Sequence, residues 1–98
     1  MTHAVLGTGT VGQAIANKLL SLGHTVVLGS RTADNPTATD WATSGGDRAS
    51  HGTFAHAASG ADVVWLAVQG QHALAVVAAA GDALDGKVVL DLTNPLDF

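Results

Sequence analysis

The fold is decided near the amino terminus by Gly7-Thr8-Gly9-Thr10-Val11-Gly12, a stretch with glycine at its first, third and sixth positions. The apolar run from His3 to Leu6 comes directly before it and predicts a buried strand. A helical period follows, which places apolar residues on one predicted face: Val11, Ala14, Ile15, Leu19 and Leu22. The glycine stretch therefore forms the turn between a strand and a helix.

Each glycine of this turn has a physical reason to lack a side chain. Gly7 allows the tight turn off the strand, Gly9 lets a pyrophosphate approach the backbone, and Gly12 lets the helix pack closely on the sheet. The helix start offers unpaired N–H groups and the positive end of a dipole, which favour an anion. Thr8 and Thr10 add hydroxyl donors. We predict that this loop binds the pyrophosphate of a dinucleotide; the alternative is a strand–helix turn without a ligand.

The rest of the chain alternates strands with helices. Further strands are predicted at 25–28, 48–52, 62–68 and 87–92, and further helices at 36–42, 53–59 and 71–84, with Asn35 and Thr53 as helix caps. The last two strands are continuously apolar, which is typical of strands covered on both faces. Alternation of this kind implies parallel strands with right-handed crossovers. We predict one α/β domain over residues 1–98, a Rossmann-type doubly wound parallel sheet of about five strands in the order 3-2-1-4-5, with helices on both faces.

The residues that end the second strand, Gly29-Ser30-Arg31-Thr32, predict which dinucleotide binds. NAD enzymes place an acid there, against the ribose diol, and this tip has no Asp or Glu. Arg31 can pair with a 2′-phosphate and stack on adenine, while Ser30 and Thr32 can donate hydrogen bonds to that phosphate. NADP is therefore predicted over NAD. The alternative is that Arg31 is a solvated loop residue and that Asp34 binds the ribose.

The loops after the fourth and fifth strands are expected to face the nicotinamide half of the cofactor. Five of their residues are predicted cofactor contacts: Ala67, Val68, Gln69, Asn94 and Pro95. His72, at the start of the following helix, is a candidate cofactor contact or proton donor, and the alternative is an exposed residue of the first helical turn.

Composition excludes several other classes of function. A net charge of −4 and four scattered basic residues argue against a nucleic-acid partner. Without cysteine there is no disulfide or thiolate metal site, and the spacing of the five histidines predicts no metal site either. The chain has no apolar run long enough for a membrane span and no signal peptide, so we expect a cytoplasmic protein. Charged residues make up only 12% of the chain, which suggests that part of the surface is covered by a cofactor, a partner subunit or a second domain.

Four stretches carry a family resemblance: the loop 7–12, the run 22–31 that reads LGHTVVLGSR, the strand 63–68, and Asn94-Pro95-Leu96. Through them the chain resembles the NADP-binding domain of coenzyme F420-dependent NADP oxidoreductases and, more distantly, that of pyrroline-5-carboxylate reductase. The resemblance implies that Ser30 and Arg31 hold the 2′-phosphate and that Thr8, Thr10 and Val11 line the pyrophosphate. It also implies direct hydride transfer between nicotinamide and a deazaflavin, so that no side chain acts as a catalytic acid or base.

The chain departs from that family in two respects. The family usually has a proline and an aromatic residue after the fourth strand, where this chain has Val68 and Gln69. Family members also continue beyond this length with residues that form a dimer contact and much of the second substrate site. The resemblance thus implies that residues 1–98 are the amino-terminal part of a longer oxidoreductase, a homodimer if the carboxy-terminal domain exists.

Two functions remain open at this point. The first is an NADP(H)-binding domain of an oxidoreductase, which transfers hydride between NADP(H) and a second cofactor or small substrate, with coenzyme F420 as the candidate co-substrate. The second is a non-catalytic module that senses nucleotide, or a truncated remnant without turnover. On the first hypothesis, this chain alone need not be active.

Overall fold

The computed structural model describes residues 1–68 and 70–91, and it builds one parallel sheet flanked by helices. The elements follow in the order β1 (Thr2–Leu6), α1 (Thr10–Ser21), β2 (Thr25–Ser30), α2 (Pro36–Gly45), β3 (Ala49–Thr53), α3 (Phe54–Ser59), β4 (Val63–Leu66), α4 (Gly70–Ala80), a 3-10 helix (Gly81–Leu84) and β5 (Val88–Asp91). The strands lie in the order β3-β2-β1-β4-β5, and every neighbouring pair is parallel. The predicted Rossmann-type sheet and its strand order are confirmed.

Two apolar layers hold the helices on the sheet. On one face, α1 and α2 pack on the central strands through one group of buried residues: Val5, Ala16, Leu19, Val26, Leu28, Ala38 and Trp41. On the other face, α3 and α4 pack through a second group: Ala4, Leu6, Ala57, Ala58, Ala61, Val64, Leu66, Val76 and Ala80. Because successive strand residues point to opposite faces, β1 contributes to both layers and is buried on both sides.

Local capping defines the starts of α2 and α3, as the sequence predicts. The Asn35 side chain accepts a hydrogen bond from the Ala38 amide at 3.0 Å, and Pro36 occupies the first turn. The Thr53 hydroxyl accepts one from the His56 amide at 3.1 Å. Each cap satisfies an amide that the helix itself leaves without a partner.

The apolar face predicted for α1 is wrong at Val11, Ala14 and Leu22, which are all exposed. Val11 and Leu22 are 57% and 61% exposed, whereas the buried residues of this helix are Gly12, Ala16 and Leu19. Small residues at the first two of these positions bring the helix backbone close to the sheet. The buried side of α1 therefore combines two small residues with the large side chain of Leu19.

The prediction that β5 is covered on both faces is also wrong for the described residues. Val88 is 58% exposed, Val89 39% and Leu90 38%. We call the exposed apolar residues 88–90 the bare strip on β5. Leu90 is paired in register with Trp65 of β4, so the bare strip lies next to a half-buried tryptophan. β5 is one of the two edge strands, and among residues 1–68 and 70–91 no element pairs with its outer side.

No helix of the described residues combines the length and the apolar character that crossing a membrane requires.

Candidate dinucleotide-binding site

A groove of about 490 Å³ opens where β1, β2 and β4 end. Its lining comes from the glycine loop, the end of β2, the cap of α2, the first residue of α3, the segment after β4 and one side of α4. The lining residues are Gly7, Thr8, Ser30, Arg31, Thr32, Asn35, Phe54, Val68, His72, Ala75, Val76 and Ala79. The carboxyl ends of parallel strands at a reversal of strand order are the usual binding place in open α/β sheets. β1 lies at that reversal, between β2 and β4.

The turn off β1 requires glycine at its first position. Gly7 has φ +135°, a conformation that L side chains rarely adopt, and a Cβ atom there would overlap the Ala67 carbonyl oxygen. Its amide donates to the Gly29 carbonyl at 3.0 Å, which ties the turn to β2. The Gln13 side-chain amide donates to the Thr8 carbonyl at 2.8 Å and orders the next residue. The loop is thus held by the protein itself.

Gly12 sits beneath this loop rather than in the groove. A Cβ on Gly12 would overlap the Gly7 carbonyl oxygen and would lie 3.6 Å from the Ala67 side chain. Gly9 is different, because a Cβ built there meets no atom within 4 Å. The absent side chain at Gly12 lets the helix approach the loop, whereas the absent side chain at Gly9 leaves open space.

The start of α1 differs from the starts of α2 and α3. Gly9 is its N-cap residue, no side chain caps it, and its first turn contains no acid. The first N–H groups of a helix have no partner within the helix. Because Asn35 and Thr53 cap the other two helices, α1 alone among these three lacks a side-chain cap. None of the three has an acid in its first turn to oppose the positive end of the dipole. The backbone amides at the start of α1 can bind a phosphate group without any side-chain donor.

The end of β2 brings Arg31 and Thr32 to the groove as exposed residues. Ser30 also lines the groove, but only 3% of its surface is exposed. Its hydroxyl donates to the Thr32 carbonyl at 2.6 Å and lies 3.5 Å from the Gly52 carbonyl. Asp34 is exposed and is not among the residues that line the groove.

The opposite wall of the groove belongs mainly to α4. His72, Ala75, Val76 and Ala79 lie at helical spacing on one side of it, and Phe54 of α3 adds an aromatic side chain. Of these, only His72 was expected from the sequence. The spacing of the four α4 residues is the signal that could have identified the others, because positions three and four apart share a helix face.

Other predicted contacts are placed elsewhere or are not described. Ala67 packs against the apolar layer under α1, and Thr10 and Val11 are exposed at the start of that helix. Gln69, Asn94 and Pro95 lie outside the described residues. Val68 and His72, the other predicted contacts that follow β4, line the groove.

A second polar cluster lies at the other end of β1, away from the groove. His3 is 6% exposed, and its Nδ1 accepts a hydrogen bond from the Trp65 indole at 3.0 Å. The His24 ring stands edge-on to it, with centroids 4.6 Å apart. Burial lowers the pKa of His3, as do the positive charges of His24 and the amino terminus, while Asp62 acts in the opposite direction. Within residues 1–68 and 70–91, no group of three or more His, Asp or Glu side chains could hold a metal ion.

Sequence comparison relates the whole chain to one enzyme family. Residues 2–95 match the family described as NADP oxidoreductase, coenzyme F420-dependent. The F420-dependent NADP reductase of Methanothermobacter marburgensis is 34% identical over 103 residues, which cover 99% of this chain and 46% of that enzyme. The chain thus spans about half the length of this curated relative.

Solved structures are similar to the chain as well. A protein from Arthrobacter sp. FB24 with a provisional description as an F420-dependent NADP-reductase is 39% identical with a TM-score of 0.83, over 98% of this chain and 46% of that one. A reductive aminase from Aspergillus terreus, solved with NADPH and ethyl-5-oxohexanoate, is 27% identical with a TM-score of 0.74, over 95% of this chain and 31% of that one.

Proposed function

This chain belongs to the family of coenzyme F420-dependent NADP oxidoreductases, and from that premise we propose that residues 1–98 form the NADP(H)-binding domain of an oxidoreductase. The observation that carries the proposal is one groove lined both by Gly7 and Thr8, which lead into the uncapped start of α1, and by the Ser30–Thr32 segment. The uncapped helix start suits a diphosphate, and the Ser30–Thr32 segment suits an added phosphate on the ribose.

The preference for NADP(H) rests on charge at the end of β2. Arg31 is exposed at the groove, and no acid stands on the Gly29–Thr32 segment to repel a 2′-phosphate or to bind a free ribose diol. A guanidinium matches phosphate geometry with two parallel hydrogen bonds and keeps its charge at any working pH. NADH lacks the group that this contact would recognise. The structure of the Aspergillus terreus relative with NADPH is consistent with this choice.

Removing the guanidinium tests the proposal directly. We expect Arg31→Ala to weaken NADPH binding by about 1–3 kcal/mol, the scale of a charge-assisted hydrogen bond, and to leave NADH binding nearly unchanged. Titration calorimetry of both nucleotides measures the two effects. Arg48→Ala is the matched control, because Arg48 is exposed, is not among the residues that line the groove, and donates to the Leu20 carbonyl at 3.4 Å. An equal loss of affinity for NADPH and NADH would show that Arg31 does not recognise the 2′-phosphate.

We further propose that this domain works as the amino-terminal part of a longer oxidoreductase. The bare strip on β5 supports this, because exposed apolar side chains on a sheet edge are normally covered by further polypeptide. The bound nicotinamide would supply the hydride, and the protein would contribute binding and orientation. Coenzyme F420 is the candidate co-substrate by family membership, and a homodimer is the candidate assembly.

A turnover assay distinguishes this proposal from a nucleotide-sensing module. The native full-length protein is supplied with NADPH and a panel of acceptors that includes F420, and oxidation of NADPH is followed by its absorbance. Hydride transfer to an acceptor supports the oxidoreductase. Tight NADPH binding with no transfer to any acceptor would favour the sensing module instead.

A further inference from the structure

We propose that His3 and Trp65 form a proton-operated switch at the amino end of β1. A proton on His3 breaks its hydrogen bond with the indole and releases Trp65 beside the bare strip on β5. Neither residue is among those that line the groove, and the switch does not depend on the proposed function. It follows from which nitrogen of His3 accepts the bond and from where Trp65 lies on the sheet.

The hydrogen bond fixes the protonation state of His3. The indole N–H of Trp65 can only donate, so the Nδ1 atom of His3, 3.0 Å away, accepts it through its lone pair. The neutral ring therefore carries its proton on Nε2, which is buried and has no hydrogen-bond partner among the described residues. A second proton can bind only at Nδ1, where it would face the indole N–H. Because two donors cannot share one hydrogen bond, protonation of His3 and the bond to Trp65 exclude each other.

Strand pairing places Trp65 at the border of the uncovered part of the sheet. Trp65 is paired in register with Val5 of β1 on one side and with Leu90 of β5 on the other. Residues paired in this way point to the same face, and His3, two positions before Val5, points to that face too. Trp65 also packs against the apolar layer under α1 and α2. Its indole therefore lies between the covered part of this face and the bare strip on β5.

Trp65 is the member of the pair that can move. His3 is 6% exposed and belongs to a strand that is paired on both sides, whereas Trp65 is half-buried. An indole N–H that loses its acceptor needs another partner, and solvent beside the exposed strip can supply one. Any polypeptide that packs on the bare strip would then meet a bound indole when His3 is neutral and a released one when His3 is charged.

The charges around His3 set the pH at which the switch operates. The His24 ring, between α1 and β2, stands edge-on to it with centroids 4.6 Å apart, and the amino terminus and Asp62 carry the other charges that act on it. Burial lowers the pKa of His3 most, His24 and the amino terminus lower it further, and Asp62 raises it. The bonded form therefore persists at neutral pH, and Trp65 is released only as the pH falls below the ordinary histidine value of 6.5.

The chain of 98 residues contains its own control, because it has two tryptophans. Trp41 donates its indole N–H to the Asn17 side-chain oxygen at 2.9 Å, and an amide does not titrate. The test follows both indole N–H signals by NMR between pH 8 and pH 5, with Trp65→Phe to assign them. We expect the hydrogen-bonded signal of Trp65 to be lost with a midpoint below pH 6.5, while the signal of Trp41 stays unchanged.

Two variants connect this change to His3. His3→Gln keeps an acceptor for the indole and removes the titrating group, so the Trp65 signal should stay hydrogen-bonded throughout. His24→Gln removes a positive charge that opposes protonation of His3, so the midpoint should move to higher pH.

Three results would overturn the proposal. The first is a Trp65 signal that stays constant from pH 8 to pH 5 in the unmodified chain, and the second is a transition that persists in His3→Gln. The third is the joint loss of both indole signals, because that would show unfolding of the whole domain rather than release of Trp65. If His3→Gln does not fold, the decision passes to His24→Gln, in which an unshifted midpoint overturns the proposal.

Discussion

Two of the loop glycines should respond oppositely to the same added methyl group. Gly9→Ala places a Cβ in open space, with no protein atom within 4 Å, and the backbone at Gly9 (φ −76°, ψ −175°) is one that any residue adopts. Gly12→Ala places its Cβ against the Gly7 carbonyl oxygen and 3.1 Å from the carbonyl carbon, both of which are backbone atoms that cannot rotate away. The first change should affect the ligand, and the second should affect the fold.

The magnitudes follow from these neighbours. Overpacking a well-packed site costs about 1–3 kcal/mol, and a rigid backbone neighbour places Gly12→Ala in the upper part of that range. The gain from replacing glycine by alanine within a helix, about 1 kcal/mol, offsets part of it. A net loss of about 1–2 kcal/mol corresponds to a Tm lower by about 4–16 °C in a domain of this size. For Gly9→Ala, the smaller loss of chain entropy on folding and the poorer N-cap roughly cancel, so we expect the Tm to change by no more than a few degrees.

Binding should follow the reverse pattern. If a pyrophosphate approaches the backbone at Gly9, the methyl group occupies its space, and we expect NADPH affinity to fall at least about tenfold, or about 1.4 kcal/mol. Calorimetric unfolding in the absence of ligand gives the Tm of each variant. Titration with NADPH gives the affinity of each variant. The interpretation of the loop is wrong if Gly9→Ala binds NADPH as the unmodified protein does. The packing of α1 on the loop is wrong if Gly12→Ala retains full thermal stability.

Two further predictions concern stability away from the groove. The lowered pKa of His3 means that the unfolded chain takes up its proton more readily, so stability should be full above the ordinary histidine pKa of 6.5 and should fall as pH drops below it towards the folded-state pKa. Urea unfolding between pH 8 and pH 5 measures how the free energy of unfolding changes with pH. We expect His3→Leu to reduce this pH dependence; an unchanged pH dependence would show that another group causes it. Thr53→Ala should lower the free energy of unfolding by about 1 kcal/mol because the His56 amide loses its cap, and Thr53→Ser should retain most of the stability. Equal losses in both Thr53 variants would show that the hydroxyl cap is not the cause.

The bare strip on β5 helps to explain why this chain has so few charged residues. Only 12% of the residues are charged, and apolar side chains remain exposed on Val88 and Leu90 of the edge strand. Leu74 of α4 is 84% exposed as well. A domain that forms contacts over part of its surface needs fewer charges there than a free-standing one. Composition and surface thus both agree with the proposal of a longer oxidoreductase.

The sequence by itself determined the features that depend on near neighbours. The strand–turn–helix at residues 7–12 and the alternation of elements follow from residues within a few positions of each other. The caps at Asn35 and Thr53 do so too, since a cap bonds an amide only three residues away. Right-handed crossovers then leave few arrangements for five parallel strands, which is why the order 3-2-1-4-5 was predictable.

Tertiary structure decided which side chains far apart in the sequence come into contact and which stay exposed. Apolar content alone could not show that β5 is uncovered, because burial depends on what the rest of the polypeptide places against a strand. The Trp65 bond to His3 joins residues 62 positions apart, and the α4 wall of the groove faces a β2 segment from the other half of the chain. At Ser30, the sequence shows a hydroxyl beside an arginine, but only the folded β2 end shows which acceptor takes its proton. Hydrogen bonds are directional and a hydroxyl has one proton, so its role depends on three-dimensional geometry that residue identity does not contain.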